Sequence, residues 1–222
     1  MSLPPGPEAV VFDCDGLLVD TEVCWTRAET KIFAAHGHGF GPEQKALVIG
    51  GTLEKAGEAM AGYFGRPGAG PELAAELLEL VRQELARGAD ALPGAVELVK
   101  VCAAAVPVAV ASNSPRELLD AALASSGLAS FFPVSFAADE VTDAKPAPDL
   151  YLKACAELRA APQRSVAFED SATGTASARA AGLFVAAVPS LPGGTPDHDW
   201  LGGSLADPGL LRWAAGLGHD AR

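Results

Sequence analysis

The chain has 222 residues, enough for one domain or for a domain carrying an insert. Hydrophobic residues make up 49% and charged residues 20%, a composition that excludes intrinsic disorder. Sixteen Lys and Arg against 28 Asp and Glu leave a net charge of −12, which argues against a basic nucleic-acid footprint or a polybasic membrane patch. An anionic ligand must therefore be captured by local groups and not by the global field.

No run of 18 apolar residues occurs, so no transmembrane helix is expected. The opening Met1-Ser-Leu-Pro-Pro-Gly-Pro has neither a basic region nor an apolar core, so it does not read as a secretory signal. Cys14, Cys24, Cys102 and Cys155 are scattered, with no Cys-x-x-Cys pair, as expected of reduced thiols in a cytoplasmic chain. The expected partners are accordingly neither nucleic acid nor membrane.

In chain order, Ala9-Val-Val-Phe-Asp13 is a short apolar run ending in an acid, the pattern of a buried parallel strand with a functional loop at its carboxyl end. Residues 22–36, 43–48, 52–64 and 71–87 read as helices, with Pro42 and Pro71 at first-turn positions, and this stretch shows no strand. After Leu92-Pro-Gly94 the pattern alternates. Helix 94–104 precedes strand 106–111, and Ser114-Pro-Arg-Glu117 has capping-box spacing to open helix 115–126. Strand 134–137, helix 148–160, strand 165–168, helix 172–181 and strand 184–188 follow. This alternation predicts a doubly wound α/β fold with a parallel sheet. The crossings near residues 19–21 and 88–92 read as irregular, and residues 189–196 are rich in Gly and Pro. His36 and His38, in a Gly-rich turn, read as solvated, and with His198 and His219 they show no metal-ligand spacing.

Ligands in such sheets bind beyond the carboxyl ends of the strands. Those ends carry Asp13 and Asp15, Ser112 and Asn113, the 139–145 loop with Lys145, and Glu169 with Asp170. Carboxylates clustered this way repel. At about 4 Å and an effective dielectric of about 20, each like-charge pair costs about 4 kcal/mol. A hard divalent cation such as Mg²⁺ relieves that repulsion. The set then suits phosphoryl transfer, in which an Asp attacks phosphorus while a metal and a Lys neutralise charge and a hydroxyl holds a phosphate oxygen. Cys14, between the two aspartates, points away from them by strand alternation and reads as a small buried hydrophobe.

These residues also carry a resemblance. The run 11–22 (VFDCDGLLVDTE) resembles motif I of the haloacid dehalogenase-like superfamily, in its β-phosphoglucomutase and phosphoglycolate-phosphatase branch. Ser112-Asn113 resembles motif II, Lys145-Pro-Ala-Pro-Asp149 motif III, and Phe168-Glu-Asp-Ser-Ala-Thr-Gly174 followed by Ala181-Gly182 motif IV. The resemblance implies a Rossmann-like core of residues 1–20 and 89–222, with an all-helical cap inserted over 21–88. It implies that Asp13 is the nucleophile and Asp15 the general acid and later base. Ser112 and Lys145 would hold phosphate oxygens. Mg²⁺ would lie among Asp13, the Asp15 backbone carbonyl, Asp170 and Glu169. Asn113 and Trp25 are added as candidate substrate contacts; Trp25 and Thr26 read equally as hinge packing. Ala144 departs from the Gly usual before the motif III Lys.

Three functional readings follow. The preferred one is a Mg²⁺-dependent phosphatase acting on a small phosphorylated metabolite, sugar- or polyol-phosphate-like, through an aspartyl-phosphate. Asp15 disfavours a dehalogenase or a phosphonatase, which the resemblance implies would lack it. The second reading is a β-phosphoglucomutase-like mutase. Those enzymes carry a cap His, and a Lys-Gly with an Arg three residues on, where this chain has Trp25, Gly50-Gly51 and Glu54. Arg27, Lys31, Lys45 and Lys55 keep that reading open through a shifted cap site. The third is a non-catalytic phospholigand-binding module, against which the full set of Asp15, Ser112 and Lys145 argues.

Overall fold

The computed structural model describes residues 2–49, 52–190 and 196–218. Gly50, Gly51 and His219, and the stretch 191–195, lie outside the described residues. The strands β1 (Ala9–Phe12), β2 (Val108–Ala111), β3 (Val134–Phe136), β4 (Ser165–Glu169), β5 (Phe184–Ala187) and β6 (Trp200–Leu201) form one sheet in the order β3-β2-β1-β4-β5-β6. Every neighbouring pair is parallel. Between β1 and the next strand lie the insert helices α1 (Glu22–Ala35), α2 (Pro42–Val48), α3 (Leu53–Tyr63) and α4 (Gly70–Leu85). The remaining helices are α5 (Ala95–Ala105), α6 (Arg116–Ser125), α7 (Asp149–Glu157), α8 (Ala172–Ala181) and α9 (Pro208–Gly216).

Helices on both faces explain why β1, β2 and β4 read as continuous apolar runs and not as alternating ones. Val10 and Phe12 join the core with α5, α6 and α9, whereas Val11 joins the opposite core with α7 and α8. Phe12 stacks on Phe168 at 5.3 Å between ring centroids and meets Phe132 edge-on at 5.9 Å. Such pairs add about 0.5–1.5 kcal/mol each beyond burial. From β1 the chain builds outward to β2 and β3. It then returns across β1 to β4, which opens a crevice at the strands' carboxyl ends beside β1.

The insert is joined to the sheet by a paired crossing. Asp20 N–H donates to Asp90 O at 2.9 Å, and Leu92 N–H to Leu18 O at 2.9 Å. By sequence alone these segments are irregular; in the structure they pair. Entry and exit of one insert run side by side, so their backbone groups satisfy each other. Strand β2 starts at Val108, not at 106, and β6 and α9 have no counterpart among the elements expected from sequence. Helix α9 does carry a start signal, because Asp207 Oδ1 accepts from the Gly209 and Leu210 N–H groups ahead of Pro208. His36 and His38 are not simply solvated. Both stack on Phe64 at 4.9 Å, and His36 Nε2 lies 3.0 Å from Glu76. All four cysteines are buried and free, and among the described residues no helix is long and apolar enough to cross a membrane.

Helices α3 and α4 approach closely at Gly57. A Cβ there would collide with Gly70 O and lie 2.9 Å from Ala74 Cβ. Gly57→Ala should therefore destabilise the protein by about 1–3 kcal/mol through overpacking. Urea unfolding checks this, and an unchanged midpoint contradicts the close approach.

Candidate active site

Asp13 follows β1 directly, its N–H donating to Phe168 O at 3.0 Å. The strand alternation that sends Phe12 and Cys14 into one core turns Asp13 the other way. Burial pushes the Cys14 thiol well above its ordinary range. Gly16 then turns the chain with φ +77°, and a Cβ there would lie 2.5 Å from Asp170 Oδ2. Glycine is the residue that permits both this backbone and this approach.

Lys145 is the centre of the site. Its Nζ lies 2.7 Å from Asp13 Oδ1 and 2.6 Å from Glu169 Oε1, with its side chain only 3% exposed. The same ammonium sits 5.0 Å from the Tyr151 ring centroid, and Tyr151 OH donates to Glu169 Oε1 at 2.7 Å. Burial pulls Lys145 down, but Asp13 and Glu169 outweigh it and hold the ammonium above its ordinary value. Asn113 fixes the loop. Its Nδ2 donates to Lys145 O at 3.1 Å and its Oδ1 accepts from Lys145 N at 2.9 Å.

Asp15 is held by three hydroxyls. Thr21 donates to Oδ1 at 2.7 Å, and Ser112 and Ser114 donate to Oδ2 at 3.0 and 2.9 Å. The expected capping role of Ser114 is thereby corrected. Helix α6 starts at Arg116, and its N–H donates to Asp139 Oδ1 at 3.0 Å. A carboxylate is the stronger acceptor, so the Ser114 hydroxyl goes to Asp15.

Asp13, Glu169 and Asp170 offer carboxylate oxygens within 4.8 Å of one another. Burial, then Glu169, pushes Asp13 well above its usual value, with Lys145 pulling back. Burial and Glu169 raise Asp170 to about 7, against a 2.5 Å hydrogen bond from Ser190. Three acids around one ammonium carry surplus negative charge, and a hard cation fits such an oxygen set. Asp13 and Asp170 face the cavity, while Glu169 lies wholly buried behind Lys145.

The cavity runs from these residues to the insert. There Glu22, Trp25, Glu29, Lys45, Ile49 and Leu53 line it. Lys45 Nζ is 2.8 Å from Glu22 Oε1 and 2.6 Å from Glu29 Oε2. Glu29 is raised by burial and lowered by Lys45. Trp25 lines the cavity, whereas Thr26 is exposed and bonds Glu22. Glu54 faces a separate recess with Lys55. Asp13, Asp15, Lys145, Asp170, Asn113 and Trp25 thus share one cavity, while Ser112 is wholly buried against Asp15. Sequence reasoning missed Thr21, Ser114 and Tyr151 as members of the site. Their signals were Thr21 between Asp20 and Glu22, a second serine two residues after Ser112, and an aromatic two residues beyond Asp149.

A family model described as haloacid dehalogenase-like hydrolase matches residues 7–182. The chain is 36% identical over 197 residues to the protein CbbY of Rhodobacter capsulatus, covering 82% of this chain and 86% of that one. It is 31% identical to the Escherichia coli fructose-1-phosphate phosphatase YqaB, covering 78% and 92%. The crystal structure of CbbY from Rhodobacter sphaeroides with phosphate superposes with a TM-score of 0.79 at 28% identity, covering 90% of this chain and 96% of that one.

The raised Asp170 has a thermodynamic consequence. Its folded value of about 7 against 3.8 for the free side chain means the folded state holds more protons in between. Its contribution to stability therefore falls as pH rises from about 4 to about 7. In chelator-treated protein, thermal unfolding followed from pH 4 to pH 8 should show this decline, and Asp170→Asn should flatten it. An unchanged slope in the variant contradicts the shift.

Proposed function

The chain belongs to the haloacid dehalogenase-like hydrolase family, and on that premise we propose that it is a Mg²⁺-dependent phosphatase of small sugar- or polyol-phosphate monoesters. The observation that carries this reading is the pairing of two differently held carboxylates. Asp13 is clamped by Lys145, while Asp15 is oriented by three hydroxyls. The names of relatives support the substrate class, among them the fructose-1-phosphate phosphatase and hexitol phosphatase B of Escherichia coli.

Asp13 attacks phosphorus, forming an Asp13–phosphoryl bond as the ester P–O bond breaks. Asp15 gives its proton to the departing alkoxide. It then takes a proton from water, whose attack on phosphorus releases phosphate and restores Asp13. Lys145 neutralises Asp13 and the incoming phosphoryl group, and Asn113 keeps the Lys145 loop in place. Ser112, buried against Asp15, orients that carboxylate and would reach a phosphate oxygen by turning its hydroxyl away from it. Asp13, Asp170, Glu169 and the Asp15 backbone carbonyl would hold Mg²⁺, which supplies charge neutralisation for the phosphoryl oxygens. Residues 21–88 act as a cap that shuts water from the covalent stage and lays Trp25 against the substrate. The four buried free thiols support a cytoplasmic setting. A β-phosphoglucomutase-like transfer is the second reading, because Lys45 is a basic insert residue on the cavity wall.

Asp13→Asn should abolish turnover of a phosphomonoester panel without unfolding the protein, since the amide cannot attack phosphorus. Asp15→Asn should slow turnover by about 10²–10⁴-fold. It should also accumulate a phosphate adduct on Asp13, read by rapid quench and mass spectrometry with an aryl phosphate. Near-normal turnover by Asp13→Asn refutes the mechanism. Conversion of β-glucose 1-phosphate to its 6-phosphate isomer would select the mutase.

Chelation should remove activity, and Mg²⁺ should restore it, with Ca²⁺ a poor substitute because it is larger and accepts irregular coordination. Calorimetry should show Mg²⁺ binding that Asp170→Asn weakens. Full activity in excess chelator overturns the metal assignment.

A further inference from the structure

Lys45 is the charged group most naturally assigned to a second phosphate, because it is an insert residue lining the same cavity as Asp13. Its surroundings argue otherwise. The Nζ is already held by Glu22 at 2.8 Å and by Glu29 at 2.6 Å, and its side chain is only 18% exposed. Glu29 is itself buried, so its charge is poorly screened by water. One ammonium shared by two carboxylates leaves this end of the cavity with a net charge of −1. The flanking side chains Trp25, Val48, Ile49 and Leu53 add no cation. A group entering here meets fixed acceptors on the two glutamates, one spare ammonium proton and an aromatic face.

The geometry points to Glu22 and Glu29 as specificity-determining residues that make the distal end of the cavity reject a second anion. The substrate is then a monophosphate whose far end is uncharged and hydroxylated. Hydroxyl groups can donate to the two carboxylates and accept from Lys45. A phosphate or carboxylate can only accept, and it faces the net negative charge. Selection against the wrong ligand here is a like-charge penalty built into the wall, not a missing contact. The inference rests on the phosphatase reading for its orientation, with the transferred phosphoryl group at Asp13. It sharpens that reading by separating this cavity from one built for bisphosphates, and so from a mutase that must hold one.

The test measures binding apart from turnover. Asp13→Asn protein with Mg²⁺ is titrated calorimetrically with fructose 6-phosphate and with fructose 1,6-bisphosphate. The monophosphate should bind tighter by at least about tenfold, the scale of an unfavourable like-charge contact. Adding Glu29→Gln, or separately the half-exposed and structurally milder Glu22→Gln, should narrow the gap severalfold by freeing Lys45. Adding Lys45→Met should widen it. A monophosphate that binds no tighter than the bisphosphate, or a gap that both glutamine variants leave unchanged, overturns the inference. Turnover of p-nitrophenyl phosphate by the unaltered enzyme tests the phosphatase reading separately. Failure there with the binding preference intact counts against that reading and not against the charge selector.

Discussion

A buried ammonium shared by two carboxylates sets the terms for everything around it. Lys145 could not lie at the end of a buried sheet unpaired, since removing one partner of a buried ion pair typically costs about 3–5 kcal/mol. Asp13 and Glu169 come from β1 and β4, which are hydrogen-bonded neighbours, so the sheet register itself places the two acids on either side of the Lys. The Lys arrives from the other direction, on the loop before α7. Asn113, from the end of β2, fastens that loop by its backbone. Three strand ends and one helix start therefore converge on one charge. Tyr151, one turn into α7, closes the arrangement from behind by donating to Glu169 and presenting its ring to the ammonium.

The contrast between the two aspartates follows from what each is given. Asp13 faces a cation and other acids in a nearly dry setting, where burial and Glu169 push it up and Lys145 pulls it back. Among the described residues, the Asp15 side chain takes its hydrogen bonds from hydroxyls. Hydroxyls can orient either protonation state, because each can donate or accept. In the mechanism proposed above Asp15 gives and then takes a proton, and neutral partners suit that role. The hydroxyls come from the entry to the insert (Thr21) and from the end of β2 (Ser112 and Ser114), so Asp15 also marks where the helical insert meets the sheet.

Much of this was legible in the sequence, for a physical reason. Asp13, Lys145 and Asp170 lie next to apolar runs or Pro-rich turns, and such neighbours fix where an acid or a Lys can go. The boundaries of α1–α4 followed from Gly and Pro. What stayed hidden depended on pairing across distance. The crossing between residues 18–20 and 90–92 is regular only because the two segments meet. Ser114 had the spacing of a cap, and nothing local says that a carboxylate 99 residues away accepts its hydrogen bond instead. Lys45 looked like a free cation because Glu22 and Glu29 belong to another helix, so its neutralisation appears only once α1 and α2 are packed. Strand β6 is two residues long and too short for any periodicity to mark.

A chain with net charge −12 that handles phosphate esters must create positive potential locally and keep it from being cancelled. It does so at one end of the cavity only. There the N-terminus of α8 begins at Ser171, beside Lys145 and Asp170, and Ser171, Thr173 and Gly174 line the wall. Helix N-termini carry about half a positive charge that falls off within a turn, so this contribution stays where the phosphoryl group is handled. At the opposite end the insert offers a cation only in the grip of two acids. The cavity is thus electrostatically one-sided, and a ligand with one charged end has one orientation in which its charge is met. Orientation is then set by the field inside the cavity before any contact is specific. On the function proposed above, that gives an acidic protein a way to present one phosphoryl group to Asp13 without attracting anions in general.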